Sequence, residues 1–325
     1  MNKVEISIAD IPLLAPAIGF NLQETVTTQE KPIIKTKAVE KPKAVVKKQI
    51  STPKAATTYK TIWADITKDF KLDHRVNSKQ VQNEIRKLLR DKKKFQSVLN
   101  DSSPYIHYIY NETKSRGLPA ELALLPVIES EFSPGDHSSK GATGLWQLMS
   151  PTAKGLGVKV VPGYDGRRSV TVSTRAALVF LTDLGKSYKK NWYLALAAYN
   201  AGPGRVNGAI RKAGTRNYWV LPLPRETKLY VPKFLAVAAI VKNPKKYGVT
   251  LPHINNKPYF AEVKLKSSIT LASAAKSLNV SLSVLKKLNP DYKTSVIASK
   301  KGTYSLLIPV EKVSTAKSKL SAVRV

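Results

Sequence analysis

The chain has no cysteine among its 325 residues, which excludes disulfide bridges and thiolate metal sites. The absence does not define the redox compartment, because many periplasmic proteins also lack cysteine. Histidine is scarce as well, and its four copies show no spacing typical of metal ligands. They are His74, His107, His137 and His253. The sequence therefore predicts no metal and no other cofactor.

Long apolar runs are also missing. No stretch approaches the roughly 20 apolar residues that a membrane-spanning helix needs. Residues 11–20 are apolar and contain a small-residue Ala15-Pro16-Ala17 step, but Glu5 and Asp10 interrupt the region and Lys3 is the sole early positive charge. We interpret residues 1–20 as an atypical export segment. A misassigned start codon and a non-standard export route are the alternatives.

Acidic residues are few: 22 Asp and Glu face 54 Lys and Arg, a formal net charge of +32. Such an imbalance favours a polyanionic partner, such as nucleic acid, anionic lipid or bacterial cell wall. Nucleic acid is the weaker candidate, because the basic residues show no interleaving with aromatics and no known nucleic-acid motif. Many of the lysines lie instead in one low-complexity segment.

That segment occupies residues 21–60. It has nine lysines between Lys31 and Lys60, opposed only by Glu40, and it shows no apolar periodicity. A chain of this composition cannot bury a core, so we predict a disordered, extended linker. It acts either as a tether or as a tail without a role.

From residue 61 to about 250 the apolar residues follow helical spacing, and no strand alternation is visible before residue 258. A mainly α domain is therefore predicted over 61–250. Its predicted helices include 120–130, 174–189, 192–199, 205–213 and 230–241. Residues 257–312 then show a strand, two short helices and a second strand, a small β-α-α-β domain. Residues 313–325 form a basic tail.

Glu129 is the candidate catalytic group. Pro126, Val127, Ile128 and Phe132 surround it in the sequence with apolar side chains. Burial disfavours the charged form of a carboxyl, raises its pKa and makes it a proton donor near neutral pH. A surface glutamate or a salt-bridged one is the alternative on this segment alone.

Two glycine-containing segments follow. Gly141 and Gly144 allow backbone to approach a ligand closely, and Gln147 offers both a donor and an acceptor at the predicted start of the next helix. Later, Gly202 halts a helix and leaves Tyr199 and Asn200 at its mouth. Taken singly, each segment is equally explained as loop or capping chemistry.

Taken in order, four motifs resemble the soluble lytic transglycosylase family. They are Glu129-Ser130, Gly144-Leu145-Trp146-Gln147, Ala198-Tyr199-Asn200-Ala201-Gly202 and Glu226-Thr227 with Tyr230-Val231. The similarity covers most of residues 61–245, and the flanks 116–126, 164–169 and 217–219 support it. It implies a lysozyme-like SLT domain that cleaves bacterial peptidoglycan.

By this resemblance Glu129 is the single acid and base. It protonates the glycosidic oxygen between N-acetylmuramic acid and N-acetylglucosamine. It then takes the proton of the muramyl 6-hydroxyl, which attacks C1 and leaves a 1,6-anhydro end. The remaining implied residues contact substrate, stabilise the transition state or, for one glutamate, lie buried near the centre. They are Ser138, Gln147, Tyr199, Asn200, Glu226 and Tyr230.

Two acidic residues depart from the family pattern: Glu131 stands where a small residue is usual, and Asp136 belongs to a pair that is commonly small and apolar. Either carboxylate could serve a water-using, lysozyme-type reaction. In a helix, Glu131 would face away from Glu129, two positions earlier. Asp136 stays open as a second carboxylate.

The β-α-α-β segment resembles a LysM domain, through Thr270-Leu271, Ala274-Ala275, Val280-Ser281 and Leu288-Asn289-Pro290. Such domains bind glycans that contain N-acetylglucosamine. The same apolar positions are what any small β-α-α-β core requires, so the contact residues are not assigned.

The resulting hypothesis is a monomeric peptidoglycan lytic transglycosylase of the periplasm or cell envelope, acting in cell-wall remodelling or turnover. It would associate with the wall or membrane and would not bind nucleic acid. A water-using muramidase and a non-catalytic wall-binding protein are the alternatives, and a phage-borne origin remains open.

Overall fold

A computed structural model describes residues 61–265, 267–297 and 304–320. These residues belong to one compact unit. The export segment predicted for residues 1–20 and the linker predicted for 21–60 lie outside the described residues. Below, residues 61–257 are called the helical region and residues 258–320 the C-terminal region.

Ten α-helices make up most of the helical region as described. They are α1 Ile62–Lys68, α2 Lys79–Arg90, α3 Lys92–Asp101, α4 Ile106–Ser115, α5 Leu125–Glu129, α6 Ser150–Gly155, α7 Val170–Ser187, α8 Trp192–Ala201, α9 Pro203–Ala213 and α10 Arg225–Lys242. Short 3₁₀ turns cover Ala120–Leu124, Tyr218–Val220 and Pro244–Tyr247. The prediction of a mainly α region is confirmed.

Helix α8 is buried among three other helices. It is buried from Leu194 to Ala201, and it contacts α7, α9 and α10. Its alanines leave little side-chain bulk, so the surrounding helices approach closely. Asn191 begins the helix by accepting a hydrogen bond from the Leu194 amide, and Gly202, with φ of 85°, ends it. This positions Tyr199 and Asn200 in the last turn.

Three local predictions need correction. The single helix expected over 120–130 is a 3₁₀ turn followed by α5, because Pro126 has no N–H to continue a helix through it and instead occupies the first turn of α5. Helix α10 begins at Arg225, five residues before the predicted start at 230. A two-residue antiparallel pair, β1 Val160–Val161 with β2 Tyr164–Asp165, also precedes residue 258.

The C-terminal region has the predicted β-α-α-β order with additions. Strand β3 (Phe260–Lys264) pairs antiparallel with β6 (Ser305–Pro309), and between them lie α11 (Leu271–Leu278) and α12 (Leu282–Leu288). The short strands β4 (Ile269–Thr270) and β5 (Val296–Ile297) form a second pair. Part of the predicted basic tail forms α13, Val313–Lys319, whose Ala316 packs into the C-terminal core.

The two regions are not separated by their hydrophobic cores. The C-terminal region has a core of its own, yet Phe260, Leu288 and Leu307 belong to the core of the helical region. Trp63 of α1 donates its indole N–H to the carbonyl of Pro252, 2.8 Å away, and so ties the segment between the regions to the first helix. Among the described residues, no helix combines the length and apolarity needed to span a bilayer.

Candidate active site

Glu129 is the last residue of α5, a helix in which every residue is buried. Only 4% of Glu129 is exposed. The chain leaves the helix sharply, because Glu131 and Phe132 both adopt left-handed backbone angles, with φ of 52° and 59°. Phe132 turns back into the core and donates its amide to the carbonyl of Pro126. The carboxyl of Glu129 is thereby held at a buried helix terminus.

Tyr230 of α10 is the hydrogen-bond partner of this carboxyl. Its hydroxyl donates to Oε1 of Glu129. Both residues are buried, so the bond forms in an environment of low polarity. Burial raises the pKa of Tyr230 well above the ordinary value, and the charge of Glu129 adds to the effect. Tyr230 therefore stays protonated and acts as a donor.

Burial raises the pKa of Glu129 to about 8. The hydrogen bond from Tyr230 and the charge of Lys233 lower that pKa, and the charge of Glu226 raises it. Desolvation is the largest of these effects, so the carboxyl is neutral at pH 7. A neutral carboxyl is a proton donor, as predicted from the apolar sequence around it.

Tyr199 lies close to the same carboxyl, and the charge of Glu129 contributes to its raised pKa after burial. Its hydroxyl donates a 2.8 Å hydrogen bond to the carbonyl of Trp146. Ser130, the neighbour of Glu129, donates from Oγ to the carbonyl of Leu145 at 2.9 Å. The turn that carries Leu145 and Trp146 is thus bound to the C-terminus of α5 on one side and to α8 on the other.

Gln147 follows in this turn, not at the start of α6 as predicted. It is 1% exposed and has a left-handed φ of 46°. Its Nε2 donates to the carbonyl of Gly144 at 3.0 Å, while its Oε1 finds no partner within the described part of the chain. Asn200 in α8 is likewise buried, and its Nδ2 has no partner among the described residues. Each of these buried polar atoms therefore has unused hydrogen-bonding capacity within the described residues.

Ser138 is buried at the start of the same loop. Its Oγ accepts a hydrogen bond from the amide of Ala142 at 3.0 Å, and the carbonyl of Ala142 accepts from the Ser138 amide at 2.9 Å. The serine hydroxyl therefore closes the loop over residues 138–142. Neither of these bonds places it against Glu129.

The acidic residues differ from expectation. Glu226 is exposed in the first turn of α10, so the expectation of a buried glutamate is wrong, although its charge reaches Glu129. Glu131 is not in a helix; its carboxylate forms a 2.9 Å ion pair with Lys94. Asp136 is half-buried, and its backbone carbonyl accepts from the Gly144 amide. These positions depend on turns that helical spacing does not reveal.

Lys233 also lies near Glu129, although the sequence pattern did not indicate it. It lies one turn after Tyr230 on α10 and is partly buried. Burial lowers the pKa of its ammonium, while nearby carboxylates, first that of Glu129, raise it. Its spacing of three from Tyr230 could have indicated it, because residues at i and i+3 share a helix face.

A basic cavity of about 270 Å³ lies beside α10. Arg86, Lys87 and Arg90 of α2 line it, together with the buried Glu84 and with Leu229, the neighbour of Tyr230. Lys87 is bound to Glu84 at 2.6 Å, whereas Arg90 forms no ion pair within the described ranges. The lining of the cavity therefore includes three basic residues and one acidic residue.

No cluster of three or more potential metal ligands occurs among the residues described. The sequence prediction of no metal site stays a prediction.

Comparison with known proteins places both regions. The family model "Transglycosylase SLT domain" matches residues 107–222, and the model "Lytic transglycosylase MltD, LysM-like domain" matches residues 259–325. Membrane-bound lytic murein transglycosylase D of Escherichia coli (strain K12) is 38% identical over 252 residues, which are 76% of this chain and 55% of that protein. Membrane-bound lytic murein transglycosylase F of Photobacterium profundum is 33% identical over 121 residues, 34% of this chain and 23% of that protein.

Two solved structures are also similar. Lytic transglycosylase Slt of Pseudomonas aeruginosa matches 44% of this chain and 24% of its own, at 29% identity and a TM-score of 0.35. The 70 kDa soluble lytic transglycosylase of Escherichia coli matches 56% of this chain and 32% of its own, at 24% identity and a TM-score of 0.40. Because both TM-scores are below 0.5, no conclusion about the fold is based on these two structures.

The chain spans about half the length of the D-type relatives that it matches. The family models nevertheless cover the region that contains Glu129, Gln147 and Tyr199, and the C-terminal region as well. The similarity to the D-type protein extends over three quarters of the chain. The resemblance inferred from the ordered motifs is confirmed, and the chain belongs to the lytic transglycosylase family, with an SLT domain followed by a LysM-like domain.

Proposed function

We propose that this protein cleaves the β-1,4 bond between N-acetylmuramic acid and N-acetylglucosamine in peptidoglycan and leaves 1,6-anhydromuramyl ends. The observation that carries the proposal is the buried Glu129, whose pKa burial raises to about 8 and whose Oε1 accepts a hydrogen bond from Tyr230. This is the electrostatic environment that a general acid requires at neutral pH.

The proton transfers follow from this arrangement. Because the Tyr230 hydroxyl donates to Oε1, the proton of the neutral acid lies on Oε2. Glu129 gives that proton to the glycosidic oxygen as the bond to C1 breaks. The resulting carboxylate then takes the proton of the muramyl 6-hydroxyl while the hydroxyl oxygen bonds to C1. Glu129 ends neutral again, and no water is consumed.

Residues around the acid would bind and orient the sugar. Gln147 Oε1 and Asn200 Nδ2 are a buried acceptor and a buried donor without partners in the described residues, and saccharide hydroxyl and N-acetyl groups can satisfy both. Tyr199 stands beside Glu129 to stabilise the transition state. Ser138 would act through the loop that its hydroxyl closes.

Hydrolysis by water is the competing reaction. It would use a second carboxylate near Glu129, and Glu226 joins Glu131 and Asp136 as a candidate for that role. Most glycosidases use a second carboxylate as nucleophile or base. Glu226 is exposed, and its charge reaches Glu129. Glu131 is a weaker candidate, since Lys94 holds its carboxylate. The product separates the two reactions: a 1,6-anhydro end forms without water, and a reducing end forms with it.

The charge and the C-terminal region support a cell-wall partner. Peptidoglycan carries carboxylates, which suit a chain with a formal charge of +32 and a basic cavity beside α10. The LysM-like region would bind N-acetylglucosamine-containing strands. We accordingly place the protein in the bacterial periplasm or cell envelope, bound to the wall as a monomer.

Purified sacculi test the proposal. The wild-type protein should release muropeptides with anhydromuramyl ends, identified by mass spectrometry. Glu129→Gln should abolish release, because an amide cannot donate the acid proton, while binding to sacculi persists. Glu131→Gln, two residues away with its carboxylate in an ion pair, is the matched control and should keep the same products. Reducing ends from the wild type would favour the water-using reaction, and normal release by Glu129→Gln would exclude the mechanism.

A further inference from the structure

Arg167 contacts the turn that carries Gln147 at both of its ends. Arg167 is 7% exposed, and its Nη1 donates to the carbonyls of Gly141, at 2.9 Å, and Leu148, at 3.3 Å. These carbonyls flank the turn on both sides. Gly144 within the turn packs on the Arg167 carbonyl so closely that an added Cβ would lie 1.8 Å from the oxygen. Side chain and backbone of Arg167 thus both support the turn.

Asp165 sets the direction of the arginine. Its Oδ1 accepts from Arg167 Nε at 3.0 Å and its Oδ2 from Nη2 at 2.8 Å, a two-point contact that fixes the guanidinium plane. Asp165 is 1% exposed, and the neighbouring arginine lowers the pKa of its carboxyl against the effect of burial. A lysine could not reproduce this planar fork.

The C-terminal region contacts this aspartate directly. The Asp165 amide donates to the carbonyl of Asp291 at 2.9 Å, and the Lys293 amide donates to the carbonyl of Gly163 at 3.0 Å. Lys293 Nζ lies 3.7 Å from Asp165 Oδ2. The rings of Tyr164 and Tyr292 pack with centroids 5.4 Å apart. The loop after α12 therefore grips the segment from Gly163 to Asp165.

From these contacts we infer that Arg167 is a positioning residue for Gln147, and that the C-terminal region is part of the active-site structure because it holds the Asp165 that orients Arg167. The inference rests on the proposed function, in which Gln147 contacts the glycan. It assigns the LysM-like region a task besides glycan binding: Asp291, Tyr292 and Lys293 face the helical region.

The conformation of Gln147 explains why such support is needed. A left-handed φ is unfavourable for a residue with a side chain and persists only where its surroundings enforce it. Within the described residues, the one side-chain hydrogen bond of Gln147 is to Gly144, in the same turn. The external restraints on the turn include Arg167, together with Tyr199 and Ser130. Loss of Arg167 should therefore let Oε1 of Gln147 leave its productive position.

A double-mutant cycle tests the first half of the inference. Affinity for N-acetylglucosamine oligomers is measured by calorimetry in the Glu129→Gln background, and kcat and KM on soluble uncrosslinked glycan strands in the wild-type background. Arg167→Lys should raise KM and lower kcat/KM on the order of 10-fold, since small displacements of binding groups are costly. The pH at which kcat/KM falls on the alkaline side should not move.

Combining Arg167→Lys with Gln147→Ala should give little further loss beyond Gln147→Ala alone, because the arginine acts through the glutamine. The assignment is overturned if the loss in the double variant equals the product of the two single-variant losses. It is also overturned if Arg167→Lys has wild-type kinetics. Arg116→Lys is the control, since Arg116 also binds a carboxylate, that of Glu112, but on α4 and its C-cap.

Two lysines of the C-terminal region test the second half. Lys293 reaches Asp165 at 3.7 Å, and Lys287 reaches Asp101 at 3.8 Å; both lysine side chains are about half exposed. Lys293→Ala should weaken oligomer binding about two- to fivefold, the effect of one partly exposed ion pair, and Lys287→Ala should not. Equal effects, or none for Lys293→Ala, overturn the role of the C-terminal region.

Lys293→Ala and Lys287→Ala keep the role of the C-terminal region testable if Arg167→Lys does not fold. An exposed lysine can be truncated without removing a side chain from the hydrophobic core. Failure of this inference can be distinguished from failure of the proposed function. A wild-type protein that binds oligomers but releases no anhydro product refutes the proposed reaction, while the binding cycle still decides whether Arg167 positions Gln147.

Discussion

Tyr230 and Glu129 lie 101 residues apart in the sequence, and the phenol hydroxyl of the tyrosine donates a hydrogen bond to Oε1 of the glutamate. The bond favours the charged carboxylate, while burial favours the neutral acid, and burial is the larger effect. The acid strength of Glu129 is therefore a balance that a single substitution can change.

Tyr230→Phe removes the hydrogen bond and leaves the burial. Since that bond lowers the pKa of Glu129, the variant should hold its proton to higher pH. The wild-type kcat/KM should fall above about pH 8, where Glu129 ionises, and in Tyr230→Phe this fall should move to higher pH. Tyr199→Phe, which loses a bond to the Trp146 carbonyl instead, should leave its position unchanged. A shift to lower pH in Tyr230→Phe would contradict the assignment.

Glu129→Gln should stabilise the fold in a pH-dependent manner. The folded pKa of about 8 lies above the ordinary 4.5, so wild-type stability is full below pH 4.5 and declines as pH rises through 8. Glutamine cannot ionise and avoids this decline. The difference in unfolding free energy between the variant and the wild type should therefore grow from pH 5 to pH 8. It should grow by roughly 1.4 kcal/mol for each pH unit in which the folded carboxyl keeps its proton and the unfolded one has lost it. Urea unfolding at both pH values measures it, and a constant difference would mean that Glu129 ionises freely in the folded protein.

Gly144→Ala should disrupt the turn that carries Gln147. Gly144 has a φ of 86°, and its added Cβ would meet the Arg167 carbonyl oxygen at 1.8 Å. Gly141 has nearly the same φ, 88°, with nothing within 4 Å of an added Cβ. Gly141→Ala should therefore cost only the backbone penalty, about 1–2 kcal/mol, and Gly144→Ala clearly more. Unfolding free energies test this, and equal losses would show that the close approach does not exist.

The basic cavity should contribute to binding of the acidic polymer. Arg86→Gln with Arg90→Gln removes two charges that line it, and Arg211→Gln with Lys212→Gln removes two exposed charges from the end of α9. Retention on sacculi at low salt should fall several-fold more for the first pair, and the difference should shrink at high salt through screening. Equal losses would mean that net charge alone attracts the wall.

Several features follow from local sequence. Apolar neighbours around Glu129 predicted its burial, and helical periodicity predicted the mainly α region; the structure bears out both. The ordered motifs predicted the family. The β-α-α-β order of the C-terminal region was visible in its alternation and its helix stops. These features depend on residues within a few turns of one another, so one-dimensional patterns contain them.

Other predictions were wrong, or could not be made, because they depend on contacts between residues distant in sequence. Glu226 was expected to be buried and is exposed, because its exposure depends on where α10 begins relative to the rest of the fold. Gln147 adopts a left-handed φ in a turn held by contacts distant in sequence, among them the packing of Gly144 on Arg167. Lys233 affects the pKa of Glu129 because α10 packs against α5.

The amino-acid order alone predicts the candidate acid Glu129, the helical framework and the family, since hydrophobic burial and helix capping act over short distances along the chain. The folded arrangement decides which groups set the acid strength of Glu129 and which groups support Gln147. Tyr230 reaches Glu129 across 101 residues, and Lys293 reaches Asp165 from a different region of the protein. Contacts between residues so distant in sequence form only when separate helices and strands pack together, and no local pattern encodes them.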